Sequence, residues 1–309
     1  MEELYYGVNH NYDNMMLKWL CKNYKDKNIA DCLSLNIGGF LGTIELKRNP
    51  YRMGKLDNIE KAIRQDIKKM LLSAKKIYDY SIECEKESSY NLWEYDEKKD
   101  SLQINMEYYI YKYRVIVEYI MKILDEVVYM DIEKYKKEHR KKFVDNYEQV
   151  NKKMEYIRKL VIRNNEKDLD LAWFDEIRKV RNQLIHEGAS CMICRNSNEP
   201  LFQVYNLEVD DLLDADEFLS NGNVISCKYF IAVTIAYLTY FIDTIFQLLK
   251  DISDGEEFEW DYCKLNYMVT GNEYQEYQEF FDKVCGVSRN IPIYQETLFK
   301  MVEQYLVLS

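Results

Sequence analysis

The chain has 309 residues, 47% hydrophobic and 31% charged, so it can build a sizeable core and is not globally disordered. Ten glycines and three prolines are too few for an all-β architecture and point to long helices. The net charge of −11 excludes nucleic-acid binding through the surface as a whole, so any such contact needs a local basic patch.

Residues 1–55 read as an irregular N-terminal segment. NIGGFLGTIELKRNPYRMG (36–54) holds four of the glycines and a proline, with room for a short strand. The opening MEELYYGVNHNYD lacks the basic start and apolar run of a signal peptide, which implies a cytoplasmic protein. Its eight cysteines, Cys21, Cys32, Cys84, Cys191, Cys194, Cys227, Cys263 and Cys285, are then expected as reduced thiols. Ile59, Ile63, Ile67, Met70, Leu71, Ala74 and Ile77 recur at helical spacing and predict one amphipathic helix over 56–85. A polar connector leads to a second helix, 102–129, with Tyr109, Tyr113, Val117, Ile120, Ile123 and Leu124 on its buried side. A basic helix is expected over 131–160. Its Lys136, Lys137, Arg140 and Lys141 could guide RNA, although a solvated helix face has the same composition.

A further helix runs from about Trp173 to Glu187, where Gly188 is placed to cap its C-terminus. CMICR and LFQVYNLEV flank the turn-like SNEP, which predicts a β-hairpin insertion at about 191–209. Cys191 and Cys194 form a CxxC, but a structural zinc site needs two more ligands, usually a second close pair, and none follows. No metal or cofactor is expected. VDDLLDADEFLSNGN (209–223) reads as a short acidic helix, and 224–250 as a long apolar one. Its uncharged run, Tyr229 to Ile242, is shorter than the roughly 20 residues of a bilayer span, so it is expected inside a bundle and no membrane anchor is implied. The domain plan is therefore a helical body over 56–253, with C-terminal helices in 254–309 packing on it.

The chemistry concentrates in VRNQLIHEG (180–188). On a helical wheel Phe174, Ile177, Val180, Leu184 and Ile185 form an apolar arc, and Arg181 falls inside it. Asn182 and His186 are four apart and neighbours on its flank. A guanidinium on an apolar face needs an anion, whether a carboxylate, a terminus or a phosphate. The structural alternative is an arginine paired with a local glutamate beside a half-exposed histidine. His10 and His139 have no partner pattern and no assigned role.

Arg-Asn, three residues, then His, late in a helix, resembles the R-x4-6-H motif of the HEPN superfamily, over about 102–250. The resemblance implies an all-α, HEPN-like antiparallel bundle carrying the hairpin after the motif helix. It implies a metal-independent endoribonuclease of bacterial defence or toxin–antitoxin type, acting as a homodimer, with an antitoxin or regulatory protein as partner. Arg181, Asn182 and His186 would be catalytic. Apart from the resemblance, Arg178 joins Lys136, Lys137, Arg140 and Lys141 as a candidate RNA contact. HEPN toxins paired with nucleotidyltransferase antitoxins carry a tyrosine two residues after the histidine. Gly188 stands there, which counts against that subclass. Other HEPN proteins are non-catalytic nucleotide- or protein-binding modules, the alternative for this chain.

Metal-free cleavage of RNA uses the 2′-hydroxyl as nucleophile and needs a base, an acid and a cation at the phosphate. Histidine supplies proton transfer near neutral pH, and arginine a rigid fork for phosphate oxygens. One helix offers one histidine, so two copies about a two-fold axis would supply both base and acid.

Overall fold

The computed structural model describes residues 10–48, 50–86, 97–132, 172–196, 199–205, 219, 224–255 and 291–306. These form α1 (His10–Tyr24), α2 (Ile29–Arg48), α3 (Pro50–Lys86), α4 (Glu97–Ile132), α5 (Ala172–His186), β1 (Ser190–Asn196), β2 (Glu199–Tyr205), β3 (Ile225–Ser226), α6 (Cys227–Gly255) and α7 (Ile293–Leu306). The chain is mainly helical with a small antiparallel sheet, as the shortage of turn residues predicts.

Helix α6 is the axis of the core. Every residue from Cys227 to Thr239 is buried, and α1, α2, α3, α4 and α7 pack around it. The segment Cys227–Phe246 is long and apolar enough to cross a membrane, yet 83% of it is buried inside the fold. Ser226 caps α6, its Oγ accepting the Tyr229 N–H at 3.3 Å.

The expectation of an irregular segment over 1–55 is corrected by α1 and α2. Met16, Leu17, Leu20 and Tyr24, then Ile29, Ala30, Leu33, Ile37, Phe40 and Leu41, recur every three or four residues and are buried. Gly38, Gly39 and Gly42 lie inside α2, where each costs about 1 kcal/mol in propensity. Packing against α3 and α6 outweighs that cost. Asn28 caps α2 through its Oδ1, which accepts the Asp31 N–H at 3.2 Å. Pro50 opens α3, where its missing N–H loses no helical bond.

The helices expected over 56–85 and 102–129 are present and extend further at both ends, as α3 and α4. The basic helix lies outside the described residues from 133 onward, as does the acidic helix apart from Leu219. The hairpin is present as β1 and β2, in register from Ser190 opposite Tyr205 to Asn196 opposite Glu199. The third strand, β3, occupies the expected start of the apolar helix and pairs Ser226 with Leu201.

The first turn of α5 meets α6, with Trp173 5.9 Å from Phe230 and Phe174 4.4 Å from Phe241 between ring centroids. The rest of α5 lies along α4. Trp173 Nε1 also donates to Tyr113 Oη at 2.9 Å.

One buried carboxylate fastens α1 to the axis. Asp13 accepts from Tyr229 Oη at 2.6 Å and from Tyr237 Oη at 2.8 Å. Asp13→Ala leaves two hydroxyls without this acceptor in a dry interior, and the expected loss is about 3 kcal/mol in chemical denaturation. Asp13→Asn, which keeps one acceptor, should lose less. Equal stability of Asp13→Ala and the unsubstituted chain would rule out this role.

Candidate functional site

The site is built where the second half of α5 meets the outer flank of α4. Phe174, Ile177 and Val180 are buried as the wheel predicts, and Leu184 packs partly against the core. Ile185 departs from the predicted arc and stands 45% exposed. Arg181 lies at the margin, its side chain 19% exposed.

The Arg181 guanidinium has fixed neighbours. Nη1 donates to Asn182 Oδ1 at 2.8 Å, and Nη2 lies 3.4 Å from Glu118 Oε1. Its centre sits 5.9 Å from the Tyr111 ring centroid. Nε is buried and has no hydrogen-bond partner among the described residues. Glu118 Oε1 also accepts from Arg114 Nε at 3.2 Å, so one carboxylate joins guanidiniums on two helices. Burial pushes the Arg114 pKa down, Glu118 pulls it back up, and the like charges of Arg178 and Arg181 lower it again. Two arginines thus share one carboxylate, with Arg178 near enough to act on Arg114 as a like charge.

The structure brings Arg181 and Asn182 into contact, with Arg178 one turn earlier on the same helix. His186 is the last residue of α5 and is exposed, one turn beyond Asn182. Five residues of helix turn Arg181 and His186 about 140° apart around the axis, with Asn182 between them on the surface. Lys136, Lys137, Arg140 and Lys141 lie outside the described residues. Sequence reasoning missed Tyr111, Arg114 and Glu118. They stand at i, i+3 and i+7 on α4, and that spacing was the available signal.

The CxxC lies on β1, where residues three apart project to opposite faces of the sheet. Cys191 is buried, which raises its pKa, and Glu107 raises it further; its backbone N–H donates to Glu107 Oε1 at 2.9 Å. Burial also raises the pKa of Cys194 and Cys227. Among the described residues no group of three or more His, Cys, Asp or Glu is placed to hold a metal ion.

No protein-family model, curated protein or solved structure matches the chain. The reading of the site therefore rests on its own geometry.

Gly188 ends the motif helix with φ 78°, and the Ala189 N–H reaches back to the Gln183 carbonyl at 3.2 Å. The left-handed glycine and this back-bond end the helix and turn the chain from α5 into β1. A Cβ at Gly188 meets nothing within 4 Å, so substitution there tests backbone conformation alone. The left-handed region costs other residues about 1–2 kcal/mol. Gly188→Ala is expected to lose about 1 kcal/mol in thermal or chemical denaturation, and Gly188→Asn less. A stabilised Gly188→Ala would contradict the assignment.

Proposed function

We propose that the Arg181–Asn182–His186 end of α5 is a metal-independent RNA-cleaving site of the HEPN kind. The observation that carries this reading is the pairing of a fixed, partly desolvated guanidinium with an exposed histidine at the end of one short helix. Arg181 keeps a buried N–H without a partner among the described residues. Asn182 and Glu118 hold its plane, so little freedom is left to lose when an anion docks. The arginine cluster favours the charge that builds up on a pentacoordinate phosphate, most strongly where water is thin.

In the reaction the 2′-oxygen bonds to the adjacent phosphorus while the bond to the 5′-oxygen breaks. One imidazole takes the 2′-proton and an acid supplies a proton to the departing 5′-oxygen. His186 serves as one of these groups. The other is His186 of a second copy, which makes the active form a homodimer with its two α5 ends close together. The same reading places the protein in the cytoplasm, in bacterial defence or stress response, with a regulatory partner.

The second reading is a non-catalytic nucleotide- or protein-binding module. Glu118 favours it, since this carboxylate already partners both Arg114 and Arg181.

An RNA-cleavage assay separates the two. His186→Ala is expected to lose roughly 10²–10⁴ in rate with the proton-transfer group. Arg181→Ala should lose a comparable amount, Arg181→Lys should rescue poorly, and Asn182→Ala should be milder. Cleavage should survive EDTA, leave 2′,3′-cyclic phosphates, and stop when the nucleotide 5′ to the cut is 2′-deoxy. A purified chain that cuts no RNA, with Arg181→Ala lowering only the melting temperature, makes Arg181 a structural ion-pair partner.

A further inference from the structure

The outer face of α4 carries large side chains that the fold leaves uncovered. Ile104 is 65% exposed, Tyr108 37% and Tyr111 39%, at spacings of four and three that put them on one stripe. The other tyrosines of this stretch are used differently. Tyr109 and Tyr113 are fully buried, with Tyr109 Oη 2.6 Å from Thr234 Oγ1 and Tyr113 Oη accepting from Trp173. Tyr108 and Tyr111 instead present ring surface to solvent.

Both rings are set among cations. Lys112 Nζ lies 5.7 Å from the Tyr108 centroid and 5.5 Å from that of Tyr111, and Arg181 lies 5.9 Å from Tyr111. Lys112 is held in place by Asp66 on α3, at 3.0 and 3.1 Å. Toward the site Arg178 and Glu118 are partly exposed, and the buried Arg114 pairs with Glu118 behind them.

We propose that Tyr108 and Tyr111 form a stacking platform for unpaired RNA bases, leading into the Arg181–His186 site. The proposal rests on the RNA-cleaving reading and deepens it by naming the substrate as single-stranded at the cut. The argument is one of complementarity. A nucleotide brings a flat π face and a phosphate on one ligand, and this surface offers half-exposed rings interleaved with lysine and arginine. Three residues of helix rise about 4.5 Å, close to the roughly 3.4 Å per nucleotide of a stacked strand. Successive bases can therefore meet successive rings. Arg181 touches Tyr111 and also belongs to the proposed phosphate site, so a base on Tyr111 places its own phosphate next to the motif. Bases in a duplex are stacked on each other and cannot reach the rings. Stacking is tolerant of base identity, so the platform selects strandedness more than sequence.

The test is fluorescence anisotropy with a labelled single-stranded RNA and the 309-residue His186→Ala chain, in which cutting is expected to be slowed during the measurement. In that background Tyr111→Ala is expected to weaken binding by about 5-fold to about 100-fold, as for loss of one stacked base, with Tyr108→Ala somewhat less affected. Tyr111→Trp should hold the affinity, and the same sequence as a duplex should compete poorly. Both rings are exposed, and unchanged melting temperatures check that the variants fold. If Arg181→Ala weakens binding while Tyr108→Ala, Tyr111→Ala and the double variant do not, the platform is wrong and the cleavage-site reading stands. If the unsubstituted chain binds no RNA, both fall. If the tyrosine variants leave RNA affinity unchanged and shift sedimentation from dimer to monomer, the stripe is a contact between copies and the platform is overturned.

Discussion

Helix α6 carries apolar side chains around its whole circumference, and the architecture follows from the need to exclude water from all of them. A helix of that kind cannot sit on a surface; it must be enclosed by other helices. That requirement recruits α1 and α2 from one end of the chain and α7 from the other. Small polar anchors set their positions. Gln295 of α7 accepts the Ile29 N–H at 2.9 Å and donates to the Lys27 carbonyl, tying α7 to the turn between α1 and α2. Tyr24 donates to Asp243 at 2.5 Å and Asn36 to the same carboxylate at 2.7 Å. Burial raises the Asp243 pKa, and those two donors pull it back. Asp13 and Asp243 each take two donors, which is what a carboxylate inside such a core needs.

Helix α4 converts this core into a site. One side faces α6 through Tyr109, and another meets α3, where Ser73 Oγ donates to the Asn105 carbonyl at 2.9 Å. The flank toward α5 carries the charges. A guanidinium pressed against an apolar face is costly alone, and Glu118 compensates for two of them. The same arrangement that makes Arg181 tolerable in the fold also holds it in one orientation. Structural support and preorganisation for an anion are here the same set of contacts.

Much of this was legible in the sequence. The 3.6-residue period over 56–85 and 102–129 was visible because those helices bury one continuous stripe. Gly188 was legible because only glycine enters the left-handed region cheaply, and the hairpin because strand-like runs flank a turn signal. Helices α1 and α2 were not, since the glycines of α2 signal a break locally while the compensation comes from distant packing. Glu118 was not legible as the Arg181 partner because the two lie on separate helices, and no local pattern reports which helices pack. β3 is too short to carry a strand signal of its own.

The placement of His186 bears most directly on mechanism. An arginine and a histidine five apart on a helix do not face the same way, so a single chain cannot clamp one phosphate oxygen between them through helix geometry alone. On the proposed reading, an RNA strand crossing the end of α5 over Asn182 would meet the guanidinium on one side and the imidazole on the other. The left-handed turn at Gly188 takes the backbone away soon after His186, which keeps the imidazole at the edge of the fold. An edge position is poor for a group meant to pack and good for one meant to meet something arriving from outside, whether a strand of RNA or the α5 end of a second copy.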